Sequence, residues 1–150
     1  VGKRLAKILD VEFRDTDKDI EQQSGRKISD IFVEDGETAF RAMEHEAVRA
    51  ALADCEGVVA LGGGAVTSEQ NRELLKGHTV AWLRVSLATA TSRVGLNRDR
   101  PLLLGNVRGT LLGLMNARNP LYEEVSTIVL DTDAMTAQQA AHELAKQVSA

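Results

Sequence analysis

The chain has 150 residues, of which 43% are hydrophobic and 27% are charged, and its formal net charge is −4. This length suits one domain spanning residues 1–150, and the charge argues against nucleic acid as a partner. No apolar run approaches the roughly 20 residues of a membrane-spanning helix, and no signal peptide is recognisable. Because Cys55 is the only cysteine, a reducing cytoplasm is the predicted compartment.

The N-terminal half begins with a predicted helix and then alternates between strands and helices. Residues 1–9 carry an apolar stripe at helical spacing, but no capping residue precedes them and there is no initiator Met. We therefore expect the chain to begin inside a longer fold. The elements predicted next are a strand at 11–15, a helix at 18–24, a short helix that Ser29 caps and Gly36 ends, a long helix carrying Phe40 to Leu52, and a strand at 58–61.

The C-terminal half continues the alternation. The unbroken apolar run at 58–61 is typical of a strand buried on both faces. The elements predicted after it are helices at 68–76, 87–94 and 107–118, strands at 79–85 and 127–131, a loop at 96–106, and a last helix that Thr136 and Gln139 begin with a capping box. Four strands separated by helices predict an α/β fold with a mainly parallel sheet, in which ligands bind at the carboxyl ends of the strands.

Two carboxylates stand at the end of the first predicted strand. Asp15 and Asp17 are spaced so that one can face a metal ion while the other reaches a substrate hydroxyl. The simpler interpretation is that Asp17 caps the helix that follows, since Asp is a favoured capping residue.

The triplet of Gly62, Gly63 and Gly64 follows the buried apolar run directly. It leaves the backbone bare where a strand meets a helix, so that a ligand can approach and the amide N–H groups can be offered to an anion. A plain turn is an equally good interpretation. Nothing in the chain matches the complete phosphate loop, G-x-x-x-x-G-K-S/T.

Arginines are the other candidates for chemistry, because guanidinium groups grip carboxylates and phosphates. Arg41 and Glu44 share one helix face, where an exposed ion pair is the simpler interpretation. The remaining candidates are Arg93, Arg98 and Arg100, in or beside the predicted loop, and Arg118, which is also a favourable cation at a helix C-terminus. A mobile arginine-bearing loop, a glycine strip and strand-end carboxylates together indicate phosphoryl transfer or the binding of a small anion.

Many residues, in order and spacing, resemble the shikimate kinase family from residue 1 to at least residue 131. They are Asp15-Thr16-Asp17, Ile20-Glu21, Gly25, Ile28 to Phe32, Gly36-Glu37, Phe40-Arg41, Glu44, Leu61-Gly62-Gly63-Gly64-Ala65-Val66, Arg100-Pro101-Leu102 and Arg118-Asn119-Pro120-Leu121-Tyr122. The resemblance implies a three-layer α/β/α fold of the P-loop kinase type, similar to nucleoside monophosphate kinases. It also implies a substrate-binding segment at about 16–45 and a lid at about 95–106.

The resemblance further implies an activity and a set of site residues. The family transfers the γ-phosphoryl group of ATP to the 3-hydroxyl of shikimate, with Mg²⁺, in aromatic amino-acid biosynthesis. Asp17 would hold the shikimate hydroxyls and accept the proton, Asp15 would lie near Mg²⁺, and Arg100 would reach the transferring phosphate from the lid. The other implied contacts are Arg41, Arg118, Glu44, Phe32, Phe40, Gly62, Gly63 and Gly64 to shikimate, and Arg93 beside the adenine.

The sequence departs from the family at two places. Val1 to Leu5 resembles the helix that follows the phosphate loop, so the first strand and that loop are expected to be missing from this chain. Residues 132–136 lack the Arg and Asn often seen in the adenine loop. We therefore expect a chain of these residues alone to be poorly stable and inactive with ATP, and the family resemblance implies a monomer. The alternatives are a non-catalytic shikimate- or anion-binding remnant, or a kinase of the same fold acting on gluconate or a nucleotide.

Overall fold

The computed structural model of the protein describes residues 1–96 and 107–149. Within these ranges eight α-helices, four strands and one short 3-10 helix follow one another. The helices are α1 Gly2–Leu9, α2 Thr16–Ser24, α3 Ile28–Asp35, α4 Glu37–Asp54, α5 Glu69–Leu75, α6 Leu87–Leu96, α7 Val107–Val125 and α8 Ala137–Val148. The strands are β1 Phe13–Asp15, β2 Val58–Ala60, β3 Ala81–Arg84 and β4 Ile128–Asp131, and the 3-10 helix is Ala65–Thr67.

The four strands form two parallel pairs, which confirms the predicted α/β class and strand direction. In the first pair Phe13 of β1 lies beside Val58 of β2, and in the second Ala81 of β3 lies beside Ile128 of β4. Among the described residues, no ladder joins one pair to the other. A cavity of about 1100 Å³, lined by both β2 and β3, lies between the pairs.

The cavity explains why one prediction about β2 is wrong. The run at 58–61 was expected to be buried on both faces, yet β2 is only half-buried along its length. The cavity is bounded by apolar side chains of several helices, among them Leu5 of α1, Leu111 of α7 and Leu144 of α8. The hydrophobic layer is therefore continuous around the cavity, although β2 and β3 themselves border open space.

Two helices begin differently from the prediction. Asp15, and not Asp17, caps α2: its Oδ1 accepts the backbone N–H of Asp17 at 2.9 Å, so the helix begins at Thr16. Ser29 does not cap α3 but lies within its first turn. The carboxylate of Glu21 accepts the N–H of Ile28 at 3.1 Å and so satisfies a donor that a capping side chain would otherwise serve.

The helix α7 is longer than predicted. It was expected to end at residue 118, but it continues to Val125 with Pro120 inside it. Proline removes one backbone donor, but the turn after it is regular, since Ser126 N–H donates to the carbonyl of Tyr122 at 3.0 Å. Tyr122 also packs its ring against Trp82 of β3, with centroids 5.6 Å apart. Contacts made beyond the proline thus stabilise the extension.

Two hydrophobic clusters hold the helices to the strands. One joins α1, β4 and α8 through Leu5, Leu130 and Leu144, and the capping box predicted for α8 is confirmed at Thr136 and Gln139. The other cluster joins α2, α3 and α4, its buried members being Ile20, Ile31, Phe40 and Ala47. No helix in the described ranges combines the length and apolar character that crossing a membrane requires.

Candidate functional site

The glycine triplet lies where β2 ends, and polar side chains from three helices meet it there. A Cβ atom built on Gly62 would lie 2.9 Å from Oδ1 of Asp17 on α2. One built on Gly64 would lie 2.6 Å from both terminal nitrogens of Arg41 on α4, and one on Gly63 would lie 3.5 Å from Nη1 of Arg118 on α7. The structure therefore brings together three polar side chains that are far apart in the sequence, namely Asp17, Arg41 and Arg118.

Space, and not backbone conformation, is the reason for these three glycines. In the described part of the chain, the glycines with a positive φ are Gly25, Gly36 and Gly77, and none belongs to the triplet. Gly64, for example, has a φ of −86°, which any residue adopts. A side chain at this position would instead collide with Arg41. The triplet also forms a turn, since the N–H of Ala65 donates to the carbonyl of Gly62 at 3.1 Å. Both interpretations therefore hold, because the turn leaves room for the polar side chains that converge on it.

The two aspartates at the end of β1 have different tasks. Asp15 caps α2, which leaves Asp17 in the first helical turn, where the carboxylate lies beside Gly62 and near the positive end of the helix dipole. Asp15 also offers a half-exposed carboxylate at the strand end. One carboxylate suits Mg²⁺, which proteins hold with one or two carboxylates together with substrate phosphates and water. The described residues contain no cluster of three or more His, Cys, Asp or Glu side chains that would hold a metal ion by themselves.

The pair of Arg41 and Glu44 is not the exposed ion pair that the sequence favoured. Glu44 is buried, with a side chain only 2% exposed, and its Oε1 accepts a hydrogen bond from Nη1 of Arg41 at 2.8 Å. Arg41 also lies 3.6 Å from the carboxylate of Glu37 and stacks over the ring of Phe40 at 5.4 Å. A buried carboxylate on one side and an aromatic ring on another fix the guanidinium group beside Gly64.

Phe32 and Phe40, the two phenylalanines expected to contact shikimate, lie in different environments. The rings of Phe32 and Phe40 pack with centroids 4.7 Å apart and join α3 to α4. Phe40 is buried, whereas Phe32 remains half-exposed. The buried ring of Phe40 thus packs against the guanidinium of Arg41, and the half-exposed ring of Phe32 is the one that a ligand can reach.

On the other side of the cavity, Arg93 and the segment after β4 hold each other. Arg93 on α6 donates to the carbonyl of Thr132 at 2.8 Å and to its hydroxyl at 3.2 Å, and that hydroxyl donates to the carbonyl of Arg84 at 3.1 Å. Arg93 and Arg118 both border the 1100 Å³ cavity. The predicted lid at about 95–106, with Arg98 and Arg100, lies almost wholly outside the described residues.

A carboxylate at the exit of β4 fixes the start of α6. The carboxylate of Asp133 accepts the backbone N–H of Ser86 at 2.9 Å, and this hydrogen bond lowers the pKa of Asp133 below its ordinary value. Next to it, the paired guanidinium of Arg84 lowers the pKa of Asp131. Through these hydrogen bonds the two aspartates tie the end of β4 to the end of β3 and to the start of α6.

Sequence reasoning missed three residues that hold the glycine triplet and the 3-10 helix after it. The hydroxyl of Tyr122 donates to the carbonyl of Gly63 at 2.6 Å. Asn71 is buried; its Nδ2 donates to the carbonyl of Ala65 at 3.0 Å, so its Oδ1 accepts from Nδ1 of His45 at 2.7 Å. One signal was available: Tyr122 stands four residues after Arg118, on the same face of a helix.

Known proteins with a similar sequence are described as shikimate kinases. A family model described as shikimate kinase matches residues 1–149. The shikimate kinase of Thermobifida fusca is 51% identical over 150 residues, covering 100% of this chain and 87% of that protein. That of Salinispora arenicola is 52% identical over 150 residues, covering 100% of this chain and 90% of that protein.

A solved structure gives the same result for the fold. The shikimate kinase from Acinetobacter baumannii, in complex with shikimate, superposes with a TM-score of 0.86 at 35% identity. The match covers 99% of this chain and 82% of that one. The predicted P-loop kinase fold, three-layer α/β/α with a parallel sheet, is thereby confirmed. The chain belongs to the shikimate kinase family.

Proposed function

We propose that this chain transfers the γ-phosphoryl group of ATP to the 3-hydroxyl of shikimate, using the site at the glycine triplet. The observation that carries the proposal is the convergence of Asp17, Arg41 and Arg118 on three adjacent glycines. Shikimate is a small ring with one carboxylate and neighbouring hydroxyls. Two guanidinium groups and one carboxylate, held over a floor without side chains, complement these groups in charge and shape.

The chain's own residues divide the work of holding shikimate. Arg41 and Arg118 pair with the substrate carboxylate, and Glu44 keeps Arg41 aimed at it. Asp17 accepts hydrogen bonds from the ring hydroxyls and takes the proton from the attacking 3-hydroxyl. Gly62 to Gly64 allow the ring to approach the backbone. The half-exposed ring of Phe32 forms a wall of the same pocket, and buried Phe40 supports that ring from within α4.

The nucleotide side of the proposal rests on fewer contacts. Arg93 would lie beside the adenine, with its guanidinium already oriented by Thr132. Arg100 would reach the transferring phosphate, and Asp15 would help to hold Mg²⁺. When bound, Mg²⁺ would neutralise charge on the phosphates. We also propose that the protein is a cytoplasmic monomer, organised as one domain with a substrate-binding segment at about 16–45 and a lid at about 95–106.

The test is an assay of ADP release with shikimate, gluconate and nucleoside monophosphates, with the product identified by ³¹P NMR. We expect phosphorylation of shikimate and none of the other acceptors, a result that would refute the inactivity with ATP expected from the sequence of residues 1–150 alone. Shikimate binding without transfer would support a binding protein instead, and phosphorylation of gluconate or a nucleotide would assign another kinase of this fold.

Arginine variants show which groups hold the substrate. Arg41→Lys and Arg118→Lys should each raise the dissociation constant for shikimate by about 30-fold or more, because a compact ammonium cannot replace a two-pronged fork. Arg49→Lys is the matched control, since Arg49 lies on the exposed face of α4 and pairs only with Glu46 among the described residues. An unchanged affinity in both test variants would contradict the assignment.

A further inference from the structure

Tyr122 makes a contact to the glycine triplet that no implied role accounts for. Its hydroxyl donates to the carbonyl of Gly63 at 2.6 Å, a short distance even for a hydroxyl donor. Gly63 is the middle residue of the triplet, between the glycine beside Asp17 and the glycine beside Arg41. A Cβ atom on Gly63 would meet the Tyr122 hydroxyl at 3.3 Å and Nη1 of Arg118 at 3.5 Å. Tyr122 and Arg118 therefore both face Gly63 in the glycine triplet.

This hydrogen bond also sets the direction of a backbone donor. The carbonyl of Gly63 and the N–H of Gly64 belong to one peptide unit, and in a trans peptide they point in opposite directions. The carbonyls on either side are held within the local turn, that of Gly62 by Ala65 N–H at 3.1 Å and that of Gly64 by Thr67 N–H at 3.1 Å. The Gly63–Gly64 unit is the central peptide of the turn, which turns of different type orient in opposite directions and which glycine leaves free to adopt either. By holding the carbonyl, the Tyr122 hydroxyl orients the N–H of Gly64 away from α7.

The ring of Tyr122 anchors the hydroxyl to the other half of the sheet. It packs on Trp82 of β3 at 5.6 Å, and the guanidinium of Arg84 covers the ring of Trp82 at 5.6 Å. Arg84 is in turn paired with Asp131 of β4 through two hydrogen bonds. Since no strand ladder joins the two pairs in the described residues, Tyr122 links the loop after β2 to the β3–β4 pair across the cavity.

We propose that Tyr122 is a positioning residue for shikimate: its hydroxyl holds the Gly63–Gly64 peptide in the orientation that the substrate meets. It does not touch the reacting atoms and acts through the backbone of the triplet. The inference rests on the proposed function, because it assumes that shikimate binds over these glycines. It assigns a role in substrate affinity to a residue of α7 whose ring packs against Trp82 of β3.

The test is the Tyr122→Phe variant, which removes the hydroxyl and keeps the ring. Calorimetric titration with shikimate gives two quantities, the dissociation constant and the number of sites. We expect the dissociation constant to rise about three- to tenfold, which matches the loss of one hydrogen bond, while the stoichiometry stays near one. Ser126→Ala removes a hydroxyl from the end of the same segment, where it contacts only the carbonyl of Glu123 among described residues, and should leave the dissociation constant unchanged.

The outcomes separate this inference from the proposed function. If the parent chain fails to bind shikimate, the proposed function fails, and the inference with it. If the parent binds and Tyr122→Phe binds with the same dissociation constant, the inference alone is wrong. A lower melting temperature or a lower stoichiometry at an unchanged dissociation constant would show a purely structural role, which also overturns it.

Discussion

Gly64 and Arg41 give the sharpest test at the scale of single residues. A methyl group on Gly64 would lie 2.6 Å from the terminal nitrogens of Arg41, so the guanidinium must move. The displaced guanidinium no longer points into the site, and its movement also weakens the hydrogen bond to the buried carboxylate of Glu44. We predict that Gly64→Ala weakens shikimate binding at least about tenfold and lowers the free energy of unfolding by about 1–3 kcal/mol, as measured by calorimetry and urea titration.

Gly63→Ala is the graded comparison for that variant. Its methyl group would meet the Tyr122 hydroxyl at 3.3 Å and Arg118 at 3.5 Å, contacts that need a much smaller adjustment. Its effect on affinity should therefore be smaller than that of Gly64→Ala. Equal effects, or a loss of stability at Gly64 without a loss of affinity, would contradict the view that the triplet exists to make room for Arg41.

Sequence reasoning reached some site residues and not others, for physical reasons. Asp17, Arg41 and Arg118 are charged residues at strand ends or in a family pattern, and the structure brings all three to the triplet. The burial of Glu44 could not be predicted, because an acid three residues from an arginine is usually an exposed partner. Tyr122 acts through its hydroxyl on a backbone carbonyl 59 positions away, a contact that leaves no local pattern.

At the scale of elements, alanine substitutions at Gly57 and Gly113 should change the free energy of unfolding in opposite directions. A Cβ atom on Gly57 would lie 2.0 Å from the carbonyl oxygen of Glu12, and that same oxygen accepts the N–H of Val58 where β1 and β2 begin to pair. Gly57→Ala should therefore lower the free energy of unfolding by at least about 2 kcal/mol. Thermal and urea unfolding would measure it.

Gly113 is the counterpart inside α7, with open space around its Cβ position. Alanine is the better helix former, so Gly113→Ala should raise the free energy of unfolding by about 0.5–1 kcal/mol. If both variants changed stability in the same direction, the close approach of β1 and the loop before β2 would not be what requires Gly57.

The elements were largely predictable, and their ends were not. Periodicity and capping signals located every described α-helix and strand, including α8 with its capping box at Thr136 and Gln139, but not the 3-10 helix Ala65–Thr67. The errors came from contacts distant in sequence. Glu21 serves the start of α3 from the preceding helix, and the contacts of Tyr122 with Trp82 and Gly63 accompany the continuation of α7 past Pro120.

At the scale of the whole molecule, two carboxylates at the end of β4, those of Asp131 and Asp133, make the folding stability depend on pH in the acid range. Hydrogen bonds from Arg84 and Ser86 lower the pKa values of Asp131 and Asp133 below their value in the unfolded chain. Groups with a depressed folded pKa contribute stability above the unfolded pKa of 3.8, and the contribution is lost as pH falls through the folded pKa. Asp133→Asn should therefore lower the melting temperature near pH 6, and the difference from the parent should shrink as pH falls below 3.8 through the lowered folded pKa of Asp133.

The control for this acid dependence is Ser126→Ala, which changes no ionisable group. Its hydroxyl donates to the carbonyl of Glu123 at 3.4 Å. Any difference between its melting temperature and that of the parent should be the same at every pH between about 6 and 3. If the melting temperature of Asp133→Asn ran parallel to that of the parent at every pH, this result would contradict the proposed link between β3 and β4 through these carboxylates.

The α/β architecture was predictable because strand and helix periods alternate along the whole chain. Among the described residues the strands form two separate parallel pairs, with a cavity of about 1100 Å³ between them. Gly62, Gly63 and Arg118 help to line this cavity, and Arg93 borders it as well.

The most direct measurement is a calorimetric titration with shikimate and with its methyl ester, which differ only in the carboxylate. If Arg41 and Arg118 grip that group beside the glycine triplet, shikimate binds one to one. The ester, which has lost the charge that both guanidinium groups pair with, should then bind about 30- to 1000-fold more weakly. Equal affinities for the two compounds would contradict the assignment of this site to the shikimate carboxylate.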